Sequence, residues 1–290
     1  MTKIRIGCQL PQEVNDFEKL ATIAQKCEKL GYESVWTYDH LAPFWRERGD
    51  ALECWTLLAA IAQRTHSIRV GTLVTNVNLR SPTLLVKMAT TLDIVSGGRL
   101  ILGLGTCDML SRKELESHGY RFANLTERVQ RLRETVLILK SMWQATEPET
   151  TFTGKYYRLS NAANHPRPIQ EPHPPIWIAG KHRKILDIVA ELADGWNHWG
   201  VEVDHVAELE RHLAAKSKEF GRRYEDITRS ATWPMHSILE GGKDRSMVLE
   251  ELRSELRKRT ARGTEYLIAS LGPTADLSSY ELFAQAARAM

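Results

Sequence analysis

Several things are missing from this chain of 290 residues, and each absence removes a class of function. No stretch approaches the roughly 18 consecutive apolar residues of a membrane span, and Met1 to Gln12 lacks a basic region followed by a long apolar run. The expectation is a cytoplasmic protein without a membrane segment. Cysteine is scarce: Cys8, Cys27, Cys54 and Cys107 are scattered with no Cys-x-x-Cys pair, which argues against a disulfide framework and a structural zinc site. A strong excess of either charge is missing too. The net charge is +3, and the basic residues are spread along the chain rather than gathered into a patch. That is not the electrostatic footprint of nucleic-acid or membrane-surface binding, so a small-molecule substrate is the expected partner. No low-complexity segment or interdomain linker is visible.

What is there is a rhythm. Ile4 to Gln9 reads as a strand, and Phe17 to Leu30 as a helix ended by Gly31. The unit recurs as Ser34–Thr37 with Cys54–Gln63, Ile68–Thr75 with Thr83–Val95, and Arg99–Leu104 with Glu127–Trp143. It continues as Ile176–Ala179 with Ile185–Leu192, Gly195–Trp199 with Val206–Phe220, Ile227–Trp233 with Met247–Lys258, and Tyr266–Leu271 with Tyr280–Ala287. Strand then helix implies parallel strands joined by crossover helices. Eight such units predict an α/β fold, a (β/α)8 TIM barrel forming a single domain over residues 1–290. A doubly wound sheet would place a glycine-rich phosphate turn after its first strand, and Gln9-Leu-Pro-Gln12 is no such turn.

The rhythm breaks at Gln144 to Pro175, which holds six prolines and the extended stretch Phe152 to Arg158. This segment is expected to be an insertion, a hairpin and a proline-rich return covering one side of the barrel. The long connection from Cys107 to Asn124 falls on the C-terminal face, where it could serve as a lid.

In this fold, catalytic groups sit at or just after strand C-termini. The candidates are Gln9; Asp39 and His40; Thr75 and Asn76; Thr106, Cys107 and Asp108; Lys181 and His182; His198; and Trp233 and His236. Metal hydrolases on barrels want imidazoles and carboxylates converging from several strands, and the first strand here has no His-x-His. His40, His198 and His236 nevertheless could meet across the mouth, which leaves a metal site open. No strand carries the buried lysine of a Schiff-base aldolase, and no Gly-x-Ser-x-Gly elbow occurs. Asp39-His40 is the most chemically loaded pair, either a loop cap beside a solvated imidazole or a proton-transfer group at the mouth; the barrel position favours the second. The strand ending Gly103-Leu-Gly105 offers close approach to a flat ligand, or else simple packing room. Ala179-Gly-Lys181 suggests a helix start that binds phosphate, with Gly180 opening the helix and Lys181 and His182 adding positive charge. Trp36, Trp45, Trp196, Trp199 and Trp233 lie in or near strand ends, most of them as core.

Several segments taken in order resemble the luciferase-like monooxygenase superfamily, which includes FMN-dependent monooxygenases and oxidoreductases using the deazaflavin F420. The resemblance covers roughly residues 3–200. It is carried by Leu30 to His40, Arg69 to Thr75, Ser81 to Gly105, Glu127 to Glu134, Phe152 to Tyr157 and Pro166 to Gly180. It implies a cofactor lying across the barrel mouth. Leu73-Val74 occupies the place where F420-using relatives carry a non-prolyl cis peptide against the ring, so Leu73, Val74, Thr75 and Asn76 are implied cofactor contacts. Asp39 and His40 are the implied pair near the reacting end, Gly105, Thr106 and Cys107 a wall, and Ala179, Gly180 and Lys181 the phosphate site. His40 and Asp108 are the implied catalytic residues. The sequence departs from close relatives at Cys107 to Leu110, ahead of Glu114, which matches a family glutamate.

The resemblance leans to F420, a hydride carrier that reacts poorly with oxygen and needs an acid or base beside its ring. The alternative is an FMN-dependent two-component monooxygenase with a separate reductase, whose lid excludes water. A homodimer is expected, from the family and from the apolar content of Thr83–Val95 and Val129–Trp143. The substrate pocket, Phe44 to Arg48 and Cys107 to His118 included, matches the family least and leaves the substrate open.

Overall fold

A computed structural model describes residues 4–43, 49–144, 149–200, 203–235, 238, 244–272 and 275–290. Along the chain come β1 (Arg5–Gln9), α1 (Phe17–Lys29), β2 (Ser34–Thr37), α2 (Cys54–Arg64), β3 (Arg69–Thr72), β4 (Thr75–Asn76), α3 (Pro82–Val95) and β5 (Leu100–Gly105). Then follow α4 (Arg112–Ser117), α5 (Leu125–Gln144), β6 (Glu149–Thr153), β7 (Arg158–Ala163), β8 (Ile176–Ala179), α6 (Arg183–Leu192), β9 (Gly195–Trp199) and α7 (Val203–Glu219). The chain ends with β10 (Thr228–Pro234), α8 (Arg245–Thr260), β11 (Tyr266–Ser270) and α9 (Leu277–Arg288). Parallel pairings run β3-β2-β1-β11-β10-β9-β8-β5, and β3 pairs with β5, Val70 opposite Leu100, to close the circle. The barrel expected from the eight units is therefore present, with β3 and β4 sharing the third position.

Local chemistry sets the ends of these elements. Asp16 caps α1 by accepting from the Lys19 N–H, and Gly31 leaves the helix at a φ of +77° that a side chain would disfavour. Ser81 caps α3 and Pro82 fills its first turn. Strands such as β5 are buried at every position because helices cover one face and the barrel interior the other.

Two cores result. The larger lies between strands and helices. The smaller fills the barrel, where Trp36, Leu73, Ile101, Trp177, Tyr266 and Ile268 pack together. Trp36 and Trp177 have ring centroids 5.1 Å apart, and Trp177 meets Tyr266 edge-on at 5.3 Å. A Cβ on Gly71 would collide with the Trp36 ring. The interior is a plug that closes the barrel between its two ends.

The insertion falls outside the barrel, with β6 and β7 antiparallel. The extended reading of Phe152 to Arg158 needs correction: Gly154 to Tyr157 form the hairpin's turn. The buried Glu134 of α5 binds that turn, accepting from the N–H groups of Lys155, Tyr156 and Tyr157 at 2.9–3.0 Å. The buried Asp93 of α3 holds the return by accepting from the Ile169 and Gln170 N–H groups. Gln170 also binds the Leu100 carbonyl at the start of β5, so the return sits under the strand N-termini, away from the catalytic face. No described helix is long and apolar enough to cross a membrane.

Candidate active site

A cavity of about 680 Å³ opens at the C-terminal ends of the strands. Its floor is Leu73-Val74, joined by a cis peptide bond, which separates β3 from β4. Val74 packs on the barrel plug below. The neighbouring strand is shaped to fit: a Cβ on Gly103 would run into the Thr72 carbonyl, and one on Gly105 into Val74. The glycines of β5 thus make room for the floor, the packing alternative of the two readings, although Gly105 also borders the cavity. Thr75 does not reach the cavity. It is fully buried, and its hydroxyl donates to Thr72 Oγ1 at 2.9 Å. The break turns Leu73, Val74 and Asn76 to the opening and Thr75 away from it.

Asp39 and His40 leave β2 at the rim and are held by different partners. The Asp39 carboxylate is gripped by Arg80, Nη1 to Oδ2 at 2.5 Å and Nη2 to Oδ1 at 3.0 Å, and accepts the Asn76 N–H at 2.9 Å. This buried pair ties the end of β2 to the segment after β4. His40 Nδ1 lies 2.7 Å from Glu114 Oε2 on α4, and Glu114 Oε1 accepts the Leu41 N–H. Burial works to raise the Glu114 carboxyl. The hydrogen bond and charge of His40, with the Leu41 and Ala42 N–H groups, outweigh it and hold the carboxyl below the usual range. Tyr38 adds a ring edge against His40, centroids 5.7 Å apart.

Asp108, implied as catalytic, borders the cavity but serves the backbone. Its Oδ1 accepts from the Leu110 and Ser111 N–H groups and the Ser111 hydroxyl, which makes it the cap of the turn entering α4. The carboxylate beside His40 is Glu114 instead. Cys107 holds a left-handed φ of +64°, and its thiol is pushed up to about 12 by burial and then by the charges of Glu114, Asp108 and Asp39. It is a neutral wall group at ordinary pH.

At the other end, Ala179, Gly180, Lys181 and His182 line the cavity. Gly180 does not open the helix. His182 is the N-cap, its Nδ1 accepting the Lys184 N–H, and α6 starts at Arg183. Arg128 also lines the cavity, a residue sequence reasoning passed over within the Glu127–Glu134 motif. Its Nη1 binds the Thr106 and Cys107 carbonyls, its guanidinium covers the Phe122 ring at 4.3 Å, and its buried Nε has no hydrogen-bond partner among the described residues.

The remaining candidates do not converge here. His198 is buried and does not line the cavity; burial, then the nearby Arg259, takes its pKa down to about 4. Trp233 lies under Arg259, 4.8 Å from ring to guanidinium. Of the five tryptophans near strand ends, Trp199 reaches the cavity. His236, Trp45 and the stretch Phe44 to Arg48 lie outside the described residues. No group of three metal-ligating side chains occurs among the described residues.

A model of the luciferase-like monooxygenase family matches residues 1–267. The chain belongs to that family. Among luciferase-like relatives, an F420-dependent glucose-6-phosphate dehydrogenase of Kineococcus radiotolerans is 34% identical over 194 residues, 67% of this chain and 56% of that protein. An F420-dependent hydroxymycolic acid dehydrogenase of Mycobacterium tuberculosis is 29% identical over 218 residues, 75% of this chain and 58% of that one. The chain thus spans a little over half the length of these relatives. A solved structure, an F420-dependent secondary alcohol dehydrogenase in complex with an F420-acetone adduct, aligns over 98% of both chains with a TM-score of 0.84. At 17% identity that likeness concerns the fold alone.

Proposed function

We propose that this protein is an F420-dependent oxidoreductase in which His40, held by Glu114, moves the proton that accompanies hydride transfer. The observation that carries the reading is the 2.7 Å contact of His40 Nδ1 with Glu114 at the rim of a cavity floored by Leu73-Val74. The F420-dependent relatives support the choice of cofactor.

The residues present fit that group. Leu73, Val74 and Asn76 offer a flat apolar floor with a polar edge, and Gly105, Thr106 and Cys107 a wall beside it. Ala179, Gly180 and Lys181 would hold the phosphate of the tail at the α6 N-terminus, where free N–H groups and positive charge favour an anion. The Arg128 guanidinium, held by the Thr106 and Cys107 carbonyls, adds a second positive charge beside the same cavity. Thr75 and Asp108 have no place in this assignment.

F420, when bound, exchanges a hydride at one ring carbon, so a substrate gains or loses two electrons and needs one proton moved. His40 is the group placed to move it. The Glu114 carboxylate, kept ionised, orients the ring through Nδ1 and balances the charge when His40 takes up a proton. Asp39 fixes the rim through Arg80 and Asn76 rather than exchanging protons itself.

Titration with oxidised F420 and, separately, with FMN tests the reading through quenching of the cofactor's fluorescence. F420 binding with weakening in Lys181→Ala is the expected result. Binding of FMN alone, with oxygen consumed when a reductase is supplied, would replace it with a two-component monooxygenase.

A further inference from the structure

We infer that the substrate end of this cavity takes an uncharged hydroxy or keto compound with an apolar body, walled by Cys107, Met109 and Leu110. The inference rests on the oxidoreductase reading for its chemistry and on the structure for its selectivity.

The charges of the cavity are divided between its two ends. Lys181 stands at the α6 end, and Arg128 is engaged by the Thr106 and Cys107 carbonyls. Around His40 the described ionised groups are three carboxylates and one guanidinium, that of Arg80, which is committed to Asp39. Asp39 is bound by Arg80, Glu114 faces His40, and Asp108 caps the turn. All three act on the neighbouring Cys107 thiol to disfavour its anion. A phosphorylated or carboxylated substrate would enter the same field and be disfavoured in the same way.

The loop between β5 and α4 adds the second observation. Met109 is 62% and Leu110 78% exposed, the two most exposed large apolar side chains among the described residues. They are adjacent, and both border the cavity on the side of Cys107 and of the helix that carries Glu114. Single exposed apolar residues are ordinary on a surface; a pair at the mouth of a pocket is a place where ligand burial is favourable. An apolar chain laid against them keeps its hydroxyl or carbonyl at His40. In the oxidising direction the hydroxyl proton goes to His40 while the carbinol carbon gives its hydride to the deazaflavin, so that two electrons leave the alcohol and a ketone remains.

Calorimetric titration with alkan-2-ols from four to eight carbons, and with glucose 6-phosphate, tests this, run on the protein with and without F420. Burial of each added methylene is expected to tighten binding about fourfold. The double variant Met109→Ser/Leu110→Ser should flatten that dependence, with the F420 dissociation constant from fluorescence unchanged. Glucose 6-phosphate binding more tightly than the longest alcohol would overturn the inference. So would a chain-length dependence that survives in the double variant. Failure of F420 to bind at all sinks the cofactor reading separately, because the alcohol series without F420 still judges the pocket.

Discussion

Arg80 and Asp39 form a two-pronged ion pair at the barrel rim, with side chains only 11% and 3% exposed. Charges so deeply placed are stabilised mainly by each other, and removing one leaves the other buried without compensation. Arg80→Met should therefore lower the unfolding free energy by about 3–5 kcal/mol, read from urea denaturation. It should also weaken F420 binding, because Asn76, whose N–H is held by Asp39, borders the cavity proposed to take the cofactor. Unchanged stability would show that water reaches the pair.

The His40–Glu114 contact separates proton transfer from positioning. His40→Ala should reduce turnover about 10²- to 10⁴-fold, the usual share of a general acid–base group, with a smaller effect on cofactor affinity. Glu114→Gln keeps a hydrogen-bond partner but removes the charge, so its loss should be smaller, with the pH dependence of kcat moved. An unaltered pH profile in Glu114→Gln would remove Glu114 from the proton-transfer machinery.

Glu28 makes stability depend on acid. Its Oε1 accepts from the N–H groups of His66, Ser67 and Ile68 at 2.6–2.9 Å. Burial pushes the carboxyl up, but these bonds and the Ser67 hydroxyl prevail and bring it down to about 2. A folded value below the unfolded one means that the contribution is complete above about pH 4.5 and is lost as pH falls toward 2. Glu28→Gln should be less stable than the parent at pH 7, with the gap closing over that window in urea midpoints.

All four cysteines should resist alkylation in the folded protein. Cys8, Cys27 and Cys54 are fully buried, and Cys107 is held as a neutral thiol. Iodoacetamide at pH 7 should add no mass to the native chain and four carbamidomethyl groups after unfolding.

Much of the barrel is legible because strands such as β5 and β8 are short apolar runs and several helices begin at a side-chain cap, Asp16 for α1 and Ser81 for α3. The site was legible only where a residue's place in a strand decides which way it faces. Thr75 faces away from the cavity because the Leu73-Val74 break resets the alternation, and periodicity cannot register a break between two ordinary apolar residues. Sequence alone does not separate Asp108 from Glu114 as the partner of His40, because only the folded chain brings position 114 back to a histidine 74 residues earlier. Arg80 and Arg128 went unseen for another reason. They lie beyond the strand ends, one just before α3 and one in the first turn of α5, where arginine is usually a solvated surface residue.

We propose that the protein is a homodimer, and the structure narrows where its contact would lie. The apolar face of α5 is already covered within the chain, whereas α3 leaves Leu84, Ile94 and Val95 exposed. Sedimentation should give twice the 33.0 kDa chain mass, and Leu84→Arg should shift it toward the monomer.

The collision that any side chain at Gly103 or Gly105 would make with Thr72 and Val74 couples two segments that are about thirty residues apart in sequence. The level at which the cavity floor stands is set by its neighbour in the wall as well as by the floor's own residues. An alanine at either glycine would have to lift or tilt Leu73-Val74, and with it whatever rests there. Mutational drift in these two stretches is therefore tied: neither can accept bulk until the other has moved away, and an engineer wishing to re-angle the floor of the cavity could work from β5 without touching a residue of the floor itself.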